Sequence, residues 1–203
     1  VWGGGETPVL SKIINENEID LAGACFGIID PKKNLCLGEK LQAGDRIILF
    51  ESSGIHANGL TLARKIAESL PEGYLTKVNG GKTYGELLLT PTIIYAKLIT
   101  DLSKNNIDIH YMVNITGHGW RKLMRHKKEL IYRITNLPPV PEILQYIVKQ
   151  GGLDDKEAYG NLNMGAGFAI FVPESDVAQV LTLSKSHNIK VYEAGVVESG
   201  EKK

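Results

Sequence analysis

The chain has 203 residues, 43% hydrophobic and 23% charged, with 23 Lys and Arg against 23 Asp and Glu. That is enough apolar material for one sizeable domain or at most two small ones. A net charge of zero gives no global pull toward nucleic acid or an anionic membrane. No apolar run approaches the roughly 20 residues that span a bilayer. Val1 to Thr7 lack the basic and apolar regions of a signal peptide, so a cytoplasmic location is expected.

The first eight residues read as a strand end and a Gly-rich loop. The chain opens there without a Met, which reads as the tail of a strand that starts upstream. We take residues 1–18 as a loop leading in from a preceding domain and 19–203 as the domain proper. Asp20 to Ile29 is apolar and rich in small residues, which predicts a buried strand. Cys25 and Cys36 have no metal-ligand spacing and are expected as buried free thiols. Asp30 to Asn34 and Leu41 to Asp45 carry turn chemistry. The apolar run Arg46–Phe50 is the central strand, followed by a helix from Asn58 to Leu70 with Leu60, Ala63, Ile66, Ala67 and Leu70 on one face.

Thr90 and Pro91 open the next expected helix, because Pro is tolerated in a first turn. Ile107–Ile115 is a strand, Trp120–His126 a short basic helix, and Glu129–Thr135 a further alternating strand. Helices follow at Glu142–Gln150 and Asp154–Tyr159. The strand Phe168–Val172, a helix opened by Pro173 and Glu174, and the strand Val191–Val197 complete the chain. Several connections are long enough for crossovers. The expected class is α+β, one mixed sheet with packed helices.

Polar junctions recur between these elements. The richest is Ser52-Ser53-Gly54-Ile55-His56-Ala57-Asn58-Gly59, between the central strand and its helix. Such a junction gathers backbone N–H groups at a helix start and suits an anion such as phosphate. Related junctions lie at Gly3–Thr7, Thr116–Gly119 and Asn161–Gly167. Two readings stand at each position. His56 is a proton-transfer or phosphate-binding group, or a satisfied structural His. Asn58 bonds substrate or caps the helix. Ser53 and Gly54 bind phosphate or backbone. Thr116, Gly117 and Gly119 form a phosphate turn or a plain strand-to-helix turn. Asn163 and Gly165 serve the site or let the sheet pack closely. Gly5 binds nucleotide, and Glu6 holds Mg²⁺ or a nucleotide ribose or is simply solvated. The basic run Arg121, Lys122, Arg125, Lys127 and Lys128 is a solvated face or steers phosphate.

Seven motifs, in order, resemble aminoimidazole ribonucleotide synthetase, the phosphoribosylformylglycinamidine cyclo-ligase family. They are Gly4-Gly5-Glu6-Thr7, Asp20-Leu-Ala-Gly23, Ser52 to Gly59, and Leu89-Thr90-Pro91-Thr92 with Tyr95 and Lys97. Then come Ile115-Thr116-Gly117-x-Gly119, Val140-Pro141-x-Ile143, and Tyr159 with Asn163-Met164-Gly165-x-Gly167. The resemblance implies the C-terminal domain, since the acidic Gly-rich segment of the family's N-terminal ATP domain is absent from these residues. It implies ATP and Mg²⁺ held mainly by that preceding domain, formylglycinamidine ribonucleotide as substrate, and a homodimer. It also implies ring closure after ATP activates the formamide oxygen. The chain departs from the family pattern at Pro8–Lys12, at Ala57 and at His118. These departures motivate an alternative: a diverged, non-catalytic member that binds a ribonucleotide or a protein partner.

Overall fold

The computed structural model describes residues 19, 21 and 23–202. The expectations for Gly5, Glu6 and the lead-in loop 1–18 fall outside the described residues. From Arg46 onward the chain builds a five-stranded sheet with helices on both faces. The strands are β1 (Arg46–Glu51), β2 (Tyr111–Asn114), β3 (Leu130–Ile134), β4 (Ala166–Val172) and β5 (Val191–Ser199). The helices are α1 (Leu60–Ser69), α2 (Tyr84–Leu88), α3 (Ala96–Lys104), α4 (Glu142–Gly151), α5 (Asp155–Asn161) and α6 (Glu174–Ser186). A 3-10 helix covers Gly119–Met124.

The α+β class is as expected, with one difference in the sheet. The strand order is β2-β4-β1-β5-β3, and all four pairings are antiparallel, not mixed. The connections β1 to β2, β2 to β3 and β4 to β5 join strands of like direction, and β3 to β4 does not. However, β4 and β5 from the C-terminal part insert between β1, β2 and β3, so like-directed strands are never neighbours.

Side chains alternate across a strand, and β1 shows the result. Ile47 and Leu49 enter a core with Ala63, Ile66 and Ala67 of α1, Tyr84 of α2 and Ile143, Leu144 and Ile147 of α4. Ile48 and Phe50 enter the opposite core with Leu98 and Leu102 of α3 and Val177 and Val180 of α6. All four β1 residues are 0% exposed. Each such side chain contributes about 1.5–3 kcal/mol of transfer free energy. A strand covered on both faces reads as an unbroken apolar run, which is why Arg46–Phe50 was recognisable.

Three expectations are corrected. Residues 23–29 form no strand and are exposed, with Phe26 and Ile28 at 103% and 94%. No described strand pairs with them, and an apolar run without a sheet neighbour has no ladder to join. Cys25 in that run is exposed and Cys36 is half-buried, so neither is a buried thiol. Finally, Thr90 and Pro91 do not start a helix: α3 begins at Ala96, and Leu89 to Tyr95 is irregular. The helix in that region lies earlier, at α2, where Thr83 and Glu86 make a reciprocal capping box. The Thr-x-x-Glu spacing was in the sequence to be read.

Candidate active site

The antiparallel order decides where the polar junctions meet. The C-terminal ends of β1 and β2 flank the N-terminal start of β4, with Phe50 opposite Phe168 and Asn114 opposite Phe168 in turn. Three segments therefore leave the sheet at one end: residues 52–59, 115–119 and 163–165. Asn163, 3% exposed, ties them together. Its side-chain oxygen accepts from the Ser52 hydroxyl at 2.7 Å and from the Gly165 N–H at 3.1 Å. Its amide donates to the Gly54 carbonyl at 2.8 Å, and its own carbonyl accepts from the Trp120 indole at 2.7 Å. These bonds use the polar capacity of the Asn163 amide, so it holds the loop that presents His56.

His56 has a left-handed backbone, φ 56°. Its Nε2 accepts the Ser53 N–H at 3.1 Å. Partial burial lowers its basicity. The imidazole lies over Gly167, where an added Cβ would stand 2.6 Å from its Cε1. The Tyr95 hydroxyl reaches the same spot and donates to the Glu51 carbonyl at 2.7 Å. Burial, then the Glu51 charge, raises the Tyr95 pKa. Its ring packs on Phe50 and Phe168, with centroids 5.9 and 5.5 Å away. The Ser53 hydroxyl donates to the Pro91 carbonyl at 2.6 Å and pins the irregular segment 89–95 beside this loop.

Asn58 links the second junction to the first. Its side-chain oxygen accepts the Gly117 N–H at 2.7 Å. It is not the helix cap, because Gly59 holds that position. Lys122 donates to the Thr116 hydroxyl oxygen. Partial burial, then the nearby Arg125 charge, lowers the Lys122 pKa. Thr116 is thereby left with its own O–H to give, so Thr116 and Lys122 together are donors suited to an anion. Two glycines are tight packing positions. A Cβ on Gly119 would stand 2.2 Å from the Tyr159 carbonyl, and one on Gly165 would stand 2.5 Å from the Pro139 carbonyl. His118 is exposed.

The structure thus brings Ser53, His56, Asn58, Thr116 and Gly117 together at this end of the sheet, with Gly54, Gly119, Asn163 and Gly165 packed beneath them. The sequence reading did not place Tyr95 or Gly167 beside His56, and gave Lys122 to a basic surface run. In the sequence Tyr95 stands in the family-like motif with Leu89 to Thr92 and Lys97, and at helical spacing from Leu98, Ile99 and Leu102. Its helical spacing pointed instead to the apolar stripe of α3. Among the described residues, no group of three His, Cys, Asp or Glu side chains is placed to hold a metal ion. No helix among them is long and apolar enough to cross a membrane.

Two cavities lie elsewhere. One of about 750 Å³ is lined by Trp120, Tyr132 and Tyr159. Another of about 530 Å³ is lined by Lys40, Asp108 and His110. At the second, buried His110 places Nδ1 2.8 Å from Asp45, which is 1% exposed, and Nε2 3.2 Å from Asp108. Neither cavity takes in His56, Asn58 or Thr116.

These features define an α+β domain with helices on both faces of an antiparallel sheet and its polar loops gathered at one end. The chain belongs to the family described as AIR synthase related protein, C-terminal domain, which matches residues 42–203. It is 37% identical over 196 residues to a phosphoribosylformylglycinamidine cyclo-ligase of Methanococcus maripaludis, covering 96% of this chain and 55% of that protein. It is 38% identical over 201 residues to the enzyme of that name in Methanocaldococcus jannaschii, covering 98% and 57%. The chain therefore spans little more than half the length of these relatives. Among solved structures, hydrogenase maturation protein HypE in complex with ATP shares the fold, at 18% identity and a TM-score of 0.53. That match covers 81% of this chain and 45% of that one.

Proposed function

We propose that this chain is the C-terminal part of an ATP-dependent phosphoribosylformylglycinamidine cyclo-ligase that closes the imidazole ring of aminoimidazole ribonucleotide. The observation that carries the reading is the convergence of three separate junctions on one end of the sheet. It occurs in a chain that keeps 37% identity to such an enzyme across 96% of its length.

In this reading the loop face takes the ribonucleotide. Thr116 and Lys122 fit a phosphate by donor chemistry, and Asn58 keeps their turn against the His56 loop. The Gly117 N–H is already given to Asn58, so the expected backbone cradle narrows to side-chain donors. ATP, when bound, supplies the phosphoryl group that activates the formamide oxygen, and Mg²⁺ offsets the phosphate charge. Both are assigned mainly to the preceding half that the relatives possess. A homodimer and a cytoplasmic location complete the proposal.

The test is ATP-dependent conversion of formylglycinamidine ribonucleotide to aminoimidazole ribonucleotide by the full-length natural protein. Turnover is expected. A folded protein with none, beside a working control enzyme, refutes the proposal and leaves the non-catalytic binding protein in its place.

A further inference from the structure

The ring of His56 is held by contacts that decide which nitrogen carries a proton. Nε2 accepts the Ser53 N–H at 3.1 Å. A ring nitrogen that accepts an N–H has no hydrogen of its own, so the neutral ring carries its proton on Nδ1. The Nδ1 and Cε1 edge lies over Gly167, where an added Cβ would stand 3.1 and 2.6 Å from those two atoms. Among the described residues Nδ1 makes no hydrogen bond, whereas Nε2 does. The Glu51 carbonyl takes the Tyr95 hydroxyl, and the Glu51 carboxylate takes the Lys190 N–H.

Every acid–base role conflicts with this arrangement. Proton uptake at Nε2, in the imidazolium or in the other tautomer, turns an N–H of the ring toward the N–H of Ser53. That amide then loses its acceptor. Hydrogen-bond donation from Nδ1 asks for no such change, and the Ser53 contact reinforces it by fixing the tautomer.

We propose that His56 acts in the reaction as a fixed, neutral Nδ1–H donor to an oxygen of the ribonucleotide, and not as the group that moves protons during ring closure. The proposal rests on the reading of this loop face as the reaction site. The acceptor is an oxygen carrying partial negative charge, either the formamide oxygen or a phosphate oxygen.

The test uses the full-length protein with ¹⁵N-labelled histidine. Long-range ¹⁵N–¹H spectra report the tautomer of each histidine, five of which lie in this chain, and the signal lost in His56→Asn identifies His56. The expected spectrum at neutral pH is that of a neutral ring protonated on Nδ1. Asn tolerates a left-handed backbone and carries an N–H near the Nδ1 position. His56→Asn should therefore keep kcat within about tenfold, with both limbs of the pH profile in place. His56→Ala should lose about a hundredfold, the scale of one lost oxyanion donor. Addition of inorganic phosphate that moves the Nδ1 signal assigns the donor to a phosphate oxygen. A signal moved only by formylglycinamidine ribonucleotide assigns it to the formamide. An imidazolium or Nε2–H spectrum overturns the proposal, as does a His56→Asn enzyme no better than His56→Ala. Absence of turnover in the wild type would instead defeat the reading of the site, while the spectrum would still decide the tautomer.

Discussion

Replacing Gly167 by Ala tests the packing that sets His56 in place. Gly167 is buried and its backbone is not left-handed, so the substitution probes space alone. The new Cβ would lie 2.1 Å from the Tyr95 hydroxyl and 2.6 Å from the His56 ring. Both are shorter than real Cβ contacts, so both side chains must give way. Overpacking of this kind costs about 1–3 kcal/mol. Loss of the 2.7 Å bond from Tyr95 to the Glu51 carbonyl adds about 1 kcal/mol. Reduced freedom of the unfolded chain returns about 0.4–1 kcal/mol. The expected net loss is about 1–3.5 kcal/mol, read from urea unfolding followed by circular dichroism with an unchanged slope. Tyr95→Phe removes the atom in the closest contact. In that background Gly167→Ala should cost less, with a coupling of at least about 0.5 kcal/mol. A Gly167→Ala protein within about 0.3 kcal/mol of wild type would refute the geometry, and so would strict additivity with Tyr95→Phe.

Other expectations follow from buried polar groups. Asn163→Ala strands the Ser52 hydroxyl, the Gly165 N–H and the Gly54 carbonyl, and at about 1 kcal/mol each should cost about 3 kcal/mol in urea unfolding. A loss below about 1 kcal/mol would show that these bonds are not made. His110→Ala removes the imidazole that bonds buried Asp45 at 2.8 Å and should destabilise by about 1–3 kcal/mol. The double change Asp45→Leu with His110→Leu should be milder, and the reverse order would contradict a buried hydrogen bond between them. Burial lowers the His56 pKa below its ordinary 6.5, so between the folded value and 6.5 the unfolded chain binds more protons. Stability should rise with pH through that window and be lost as pH falls below 6.5. His126 is shifted the same way, by burial first and then by Lys128, so the comparison is with His56→Asn. That variant should show the shallower slope just below pH 6.5, and equal slopes would refute the shift.

Much of the local architecture was readable because local physics decides it. Ile47 to Phe50 form an unbroken apolar run, and a strand buried on both faces needs one. Pro141 and Pro173 stand immediately before α4 and α6, where a missing N–H is harmless. Ile143, Leu144 and Ile147 repeat at helical spacing and are all buried. The sequence also marked the junctions that meet at the sheet end, since Gly, Ser and Asn cluster there.

What the sequence could not supply was the partner of each group. The run 23–29 is apolar enough for a strand, but periodicity reports a wish for burial, not a neighbour to pair with. Glycine in a motif looks the same whether it admits a ligand or a carbonyl, and only packing showed Gly119 against Tyr159 and Gly165 against Pro139. Tyr95 has the spacing of a core residue, yet its hydroxyl ends beside His56. The sequence by itself determined the strand β1, the helices α1, α4 and α6, and which junctions are polar, because those follow from neighbours along the chain. The tertiary structure decided the antiparallel order, the meeting of residues 52–59, 115–119 and 163–165, and the hydrogen bond that fixes the His56 tautomer. Those depend on groups as far apart as Asn58 and Gly117, or Ser52 and Asn163, and such distances in sequence close only when the sheet forms.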